Sequence, residues 1–246
     1  MKTRLILKQT IKVMGSAFMV LFLTSACATT TTQPKTGLIK GSAAEKAPVA
    51  PSGFLGDYSK LKPGPNDRAA LVYVNPKAKW SSYHSIIVDP VQFWSSDNTV
   101  PLAEQKVLTS YFYDALRKNL QPYFVLVDKP GPGVLELKAA ITSATAATPV
   151  LRSVSVVVPQ ARLLNTAKSL TTGSYAFVGS AQAEGQVIDS VSKMRLAAAV
   201  DKREGGMALE TAAQWKWGDV QNILDYWAQN TAKRLAHIQE HGRVAN

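Results

Sequence analysis

The chain has 246 residues, a formal net charge of +11, 46% apolar and 18% charged residues. That is the composition of a globular chain, and it excludes a mostly disordered or collagen-like one. A single cysteine excludes an internal disulfide and a cysteine-rich zinc site.

The N-terminus carries Lys2, Arg4, Lys8 and Lys12 with no acid among them, then an uncharged run from Val13 to Ala26. Basic, apolar and then small residues form the layout of a secretory signal peptide. The apolar run is shorter than the roughly 18–20 residues of a membrane-spanning helix, which argues against an uncleaved anchor. Leu23-Thr24-Ser25-Ala26 ends at Cys27, and this ending resembles the lipobox of bacterial lipoproteins, with Thr24 where Leu is usual. The resemblance implies cleavage after Ala26, diacylglycerol on the Cys27 thiol and a palmitate-type acyl group on the new amino terminus. The alternative is a secreted protein cut after Ala26 with a chance cysteine. Ala28, in place of an inner-membrane-retaining Asp, implies the outer membrane by the same analogy, with the domain facing the periplasm. Residues 1–26 hold four bases and no acids, so the mature chain keeps 24 bases against 17 acids and a net charge of +7.

Residues 28–51 are rich in Thr, Ala, Lys and Pro and contain no aromatic. Such a stretch buries too little surface to offset its ordering entropy, so 27–51 reads as a lipidated N-terminus and flexible tether. Residues 52–246 read as one globular domain. Leu71–Val74 and His84–Asp89 are short β-rich runs, the second stopped by Pro90 and extended by Val91–Trp94. A helix is expected from near Pro101, with Leu108, Phe112, Leu116 and Leu120 on one face. Tyr123–Val127 and the alternating Val134–Thr145 follow as strands. Val154–Val158 is a further β-branched run, and residues 159–170 suit a short helix.

Tyr175–Asp189 is the longest strand candidate. Tyr175, Phe177, Gly179, Ala181, Ala183, Gly185 and Val187 share one face; Ser180, Gln182, Glu184 and Gln186 share the other, which predicts a wet sheet face. Met194–Val200 returns as its partner. The last helix is expected to open at Asp219 as N-cap, with Val220, Ile223, Leu224, Trp227, Thr231, Leu235 and Ile238 as its stripe. Strands clustered around few helices predict an α+β fold: a mostly antiparallel sheet with two main helices packed on one face.

Several short motifs, taken in order, resemble the bacterial lipoproteins grouped as domain of unknown function 3313. They are Gly53-Phe54-Leu55 with Tyr58-Ser59 and Leu61, then Tyr83 with Val88-Asp89-Pro90-Val91. Asp189 follows, with Leu196-Ala197-Ala198-Ala199-Val200-Asp201 and Trp227-Ala228. The resemblance spans about 53–238. It implies a lipoprotein of the envelope and supplies no catalytic residue.

Chemical motifs are sparse. His237-Ile238-Gln239-Glu240-His241 matches the H-x-x-E-H pattern of inverzincins, but it sits at a helix end, where a walled metal site is not expected. His84, before a strand, has no metal-ligand spacing around it. Gly179-Ser180 lacks the G-x-S-x-G elbow. No phosphate-cradling glycine loop occurs, so no nucleotide is expected; with the histidines placed as above, no metal or other cofactor is expected either. The bases are scattered, so no nucleic acid is expected either. Arg152, Arg162 and Lys168 are the nearest thing to a cationic cluster and the candidates for contact with an anionic envelope component. Trp215 and Trp217 flank Lys216 and are candidate exposed aromatics. The expected activity is a non-enzymatic binding or scaffolding module at the outer membrane, meeting an anionic component or a protein of the envelope. The alternative is an envelope enzyme or a lipid-handling protein.

Overall fold

The computed structural model describes residues 35–36, 49–65, 68–96, 99–147, 179–204 and 216–242. Among these residues two helices accompany one large mixed, mostly antiparallel sheet of nine strands, an α+β arrangement. The strands are β1 (Lys35–Thr36), β2 (Lys62–Pro63), β3 (Leu71–Val74), β4 (Ser85–Val88) and β5 (Gln92–Phe93), then β6 (Val125–Leu126), β7 (Val134–Thr145), β8 (Ser180–Asp189) and β9 (Arg195–Glu204). The helices are α1 (Leu102–Leu120) and α2 (Gly218–His241). The main path runs β2-β3-β9-β8-β7-β4-β6, with β1 beside β9 and β5 beside β7. The pairs of β7, β8 and β9 are antiparallel, whereas β4 runs parallel to both β6 and β7. A parallel pair needs a crossover connection, and α1 supplies it between β4 and β6.

The expected stripes form the core. Leu108, Phe112, Leu116 and Leu120 of α1 are buried, as are Val220, Ile223, Leu224, Trp227, Leu235 and Ile238 of α2. They share one cluster with Leu135, Leu137 and Ile141 of β7 and with Ala181 and Val187 of β8. Phe112 meets Trp227 with ring centroids 6.2 Å apart. The runs expected at 154–158 and 159–170 lie outside the described residues, as do Tyr175 and Phe177.

Asp219 does not cap α2. Trp217 occupies the cap position without a side-chain bond, and Asp219 lies inside the first turn. Its carboxylate accepts the Gly179 backbone N–H at 2.7 Å. A carboxylate there still suits the helix dipole, but its hydrogen bond reaches across the fold to the start of β8.

The middle of the polar face of β8 is not wet: Gln182 and Glu184 are buried, whereas Ser180 and Gln186 are half-buried. Residues 49–61 cross it, although the chain up to Pro51 reads as tether. Glu184, only 1% exposed, accepts the Ser52 backbone N–H at 2.8 Å and the Tyr58 hydroxyl. Gln182 Nε2 donates to the Ala50 carbonyl at 2.8 Å. Arg195 donates to the carbonyls of Leu55 and Asp57. Gly53 and Gly56 hold positive φ values of 92° and 72°, which glycine adopts at no steric cost. Leu55 then packs on Ala198 and Val200. Gln182 and Glu184 thus bind a covering backbone, while Gln186 accepts from Arg195 Nε at 2.8 Å.

A second tie joins Tyr83 to Asp189, hydroxyl to carboxylate, at 2.9 Å. Burial, together with the neighbouring Asp189, pushes the Tyr83 phenol up to about 12. Burial also raises Asp189, but hydrogen bonds from Ser192, Tyr83 and Val191 outweigh it and hold the carboxyl below its ordinary range. Tyr111, bonded to Asp225 at 2.7 Å, is likewise pushed up to about 12 by burial first. A phenol whose folded pKa exceeds its unfolded value stabilises below pH 10 and loses that contribution as pH rises through about 12. Urea unfolding measured across this window should show stability falling, and Tyr83→Phe should fall less steeply. Parallel curves for the two proteins would show that Tyr83 is not responsible.

Candidate functional site

A cavity of about 580 Å³ lies between α2 and the strands β3, β9, β8 and β7. Its origin is a row of minimal side chains. Register places Val72 opposite Ala199, Ala199 opposite Gly185, and Gly185 opposite Ala139, so one row crosses four strands. Interiors otherwise pack near crystal density, and no large side chain from this row reaches α2. Nothing in the backbone requires glycine at position 185: a Cβ there would meet only the Lys138 carbonyl oxygen, at 3.5 Å, an ordinary contact. A strand-interior glycine weakens a strand and often marks close approach of a ligand.

The walls come from both helices. Phe112 and Leu116 of α1 close one side; Trp227, Leu235 and Ile238 of α2 form the roof. The polar groups deep in the cavity are tied to one another. Asp201 accepts the Ala70 backbone N–H at 3.0 Å, Arg203 Nε at 2.6 Å and Trp227 Nε1 at 2.8 Å. The Arg203 guanidinium lies 4.0 Å over the Tyr226 ring. Asp201 therefore holds β9, the turn before β3 and α2 together, and its oxygens are occupied. The other acid along the lining, Glu184, is engaged by Ser52 and Tyr58. The cations along the lining include Lys62, Arg68, Lys233 and Arg234; Lys62 and Lys233 are exposed. The cavity joins an apolar interior to a cationic margin.

The residues chosen from sequence do not gather there. Ala26, Cys27, Arg152, Arg162, Lys168 and Trp215 lie outside the described residues. Trp217 is corrected: it is 3% exposed and its Nε1 donates to Glu104 Oε2 at 2.8 Å. Lys216, the base beside it, pairs with the same carboxylate. The aromatic-plus-base pattern thus secures the start of α2 to α1, since a buried indole N–H needs a partner. Sequence reading missed the cavity because its floor depends on the register of four strands. The mid-strand Gly185 beside Ala183 was the one local signal.

The H-x-x-E-H segment ends α2: Ile238 is buried and His237 half-buried, while Glu240 and His241 are exposed. The His237 and His241 rings stack at 4.2 Å, and His241 Nδ1 lies 3.0 Å from the His237 carbonyl oxygen. Among the described residues no three His, Cys, Asp or Glu side chains form a group that could hold a metal ion. His241→Ala should change stability by no more than about 0.5 kcal/mol, as exposed substitutions do, and zinc should move the melting temperature of both proteins equally. A zinc-dependent gain lost in His241→Ala would reinstate the metal reading.

Residues 50–231 match the family described as Protein of unknown function (DUF3313). The chain belongs to that family. No curated protein matches the sequence. Among solved structures the chain is similar to a PelC dodecamer from Paraburkholderia phytofirmans, at 13% identity and TM-score 0.37, covering 68% of this chain and 94% of that one. Protein XCC0632 from Xanthomonas campestris is similar at 8% identity and TM-score 0.38, covering 69% and 95%. A putative neuraminyllactose-binding hemagglutinin homolog from Helicobacter pylori is similar at 9% identity and TM-score 0.34, covering 65% and 84%.

The motifs that carry the DUF3313 resemblance are distributed as ties of the fold. Leu55 and Tyr58 fasten residues 49–61 to β8 and β9. Tyr83 bonds Asp189, and Asp201 bonds Trp227. Ala228 is fully buried beside that pair. In this member of DUF3313 these motif residues build the architecture, and the cavity lies among them.

Proposed function

We propose that this DUF3313 protein is a lipoprotein of the outer membrane, held through Cys27 and facing the periplasm, that acts by binding without turnover. In this reading both helices lie on one face of the sheet, and the space between α2 and that face is the binding site. The observation that carries it is the cavity of about 580 Å³, within the 300–1,000 Å³ usual for small-molecule sites. Its deep carboxylate, Asp201, is committed to three internal donors, which suits a wall group and not a general base. A mature net charge of +7 favours anionic partners in an envelope rich in phosphate and carboxylate. Arg152, Arg162 and Lys168 remain the candidates for that surface contact, to be tested by salt-sensitive binding to anionic vesicles. Among the described residues no helix is long and apolar enough to cross a membrane; in this reading the attachment is the lipid on Cys27. Each buried CH₂ contributes roughly 0.8 kcal/mol, and two or more acyl chains anchor stably. Cys27→Ser should leave the precursor uncut or free the protein from the membrane fraction, with no acyl mass on the N-terminus. A Cys27→Ser protein that still partitions into the outer membrane would remove the anchor from this reading.

A further inference from the structure

We propose that the cavity takes a single-chain amphiphile with an anionic head group, its tail along the floor and its head at the cationic margin; the proposal rests on the binding reading above and names its ligand class. The floor gives the tail its place. Val72, Ala199, Gly185 and Ala139 offer only methyl groups and backbone, so a sugar or nucleoside would find no side-chain hydrogen bonds along it. Neighbouring strands lie 4.7–4.9 Å apart, so the row of four spans about 14 Å, the length of an extended laurate chain. The row begins at β3, near the sheet margin, and ends at β7, where Phe112 and Leu116 close the far side. A chain threaded from β3 therefore meets apolar walls at its tail.

The charge distribution orients it. Lys62 lies on β2 in register with Val72, at the end of the floor where the tail would enter. Lys233 and Arg234 reach the lining from α2, and Arg68 from the turn before β3. The two acids of the lining are turned away, Asp201 to Arg203 and Trp227 and Glu184 to residues 49–61. A carboxylate or phosphate at the margin would meet cations with no competing acid from the lining, and a cationic head group would be repelled. Arg203, stacked on Tyr226 and paired with Asp201, stays part of the wall.

The test uses the mature chain without its signal and lipid, residues 28–246, which keeps every described residue. Laurate, dodecanol and dodecyltrimethylammonium are titrated by calorimetry. Laurate should bind one to one, at least tenfold more tightly than either of the others, and the advantage should shrink at high salt. Ala199→Phe, which fills the floor, should weaken laurate at least tenfold, and Lys233→Glu with Arg234→Glu should erase the preference for the anion. Should Ala199→Phe fail to fold, Ala199→Cys replaces it: this chain lacks Cys27, so the introduced thiol is unique, and laurate should slow its alkylation at least tenfold. Absence of laurate binding, undiminished binding in a folded Ala199→Phe, or an unprotected thiol overturns the proposal. Equal affinity for laurate and dodecanol overturns the anionic head group and leaves the binding reading standing. Turnover of an envelope substrate by the same chain removes the binding reading itself.

Discussion

Asp201→Ala is expected to lower the stability of the domain by about 3–5 kcal/mol, the cost of removing one partner of a buried ion pair. Asp201 and Arg203 are 7% and 5% exposed at their side chains, with 2.6 Å between Oδ2 and Nε. The substitution withdraws the carboxylate from Arg203 and leaves the Ala70 N–H and Trp227 Nε1 without the acceptor they use. For a domain of this size each kcal/mol moves the melting temperature by about 2–4 °C, so thermal unfolding should come about 6–20 °C earlier. Asp201→Ala combined with Arg203→Met should recover part of the loss, because the buried cation is removed with its partner. No recovery would show that the pair's charge is not what Asp201 serves.

Trp227→Ala is expected to cost a similar amount, about 3–5 kcal/mol, as large aromatic truncations in cores do. Trp227 is 8% exposed, packs on Phe112 and donates to Asp201. Trp227→Phe separates the two contributions. It keeps most of the packing and drops the hydrogen bond to a charged group, worth about 1.5–3 kcal/mol. Because Trp227 and Asp201 touch, the double replacement should cost less than the sum of the two. A Trp227→Ala protein melting within a degree or two of the parent would mean that the indole is not a core element. Natural domains hold only about 5–15 kcal/mol in reserve, so either single change should also lower the amount of protein recovered from cells.

The sequence was most legible where one element carries its own periodicity. The four-residue spacing from Leu108 to Leu120 placed α1, and the alternation of β8 identified which side chains share a face. What lies against a face was not legible. Gln182 and Glu184 look solvent-directed from their polarity, yet residues 49–61 cover them through side-chain-to-backbone bonds reaching 132 positions along the chain. That segment has no apolar period; its shape depends on two left-handed glycines and on acceptors supplied from elsewhere. β2, β5 and β6 are two residues each, too short for any period to register. Asp219 carried a true helix-start signal, but tertiary context spends its carboxylate on Gly179. Trp217 carried a signal that composition alone cannot orient, since the same indole serves an exposed contact or a buried bond to Glu104. The cavity required the register of β3, β9, β8 and β7 together, which no single segment encodes.

The position of β9 in the sheet has a kinetic consequence. β9 sits between β3 and β8, so its two neighbours come from opposite ends of the domain, and Leu71 pairs with Val200 across 129 positions. Non-local pairing of this kind slows folding, because the chain must close long loops before contacts reward it. For a chain that emerges N-terminus first, β3 and residues 49–61 can meet β2 and Trp94 early, but they lack their partners on β8 and β9 until residues 180–204 arrive. Glu184, Arg195 and Asp201, which supply most of the side-chain bonds that fasten them, are on the late strands. Until then Leu55, Leu71 and Tyr73 lack the β9 residues they pack on, and exposed apolar side chains of this kind are what holdase chaperones protect. Acquisition of the native sheet is therefore tied to completion of the chain through β9, and a truncation before β9 should be cleared by proteases instead of accumulating as a smaller folded unit.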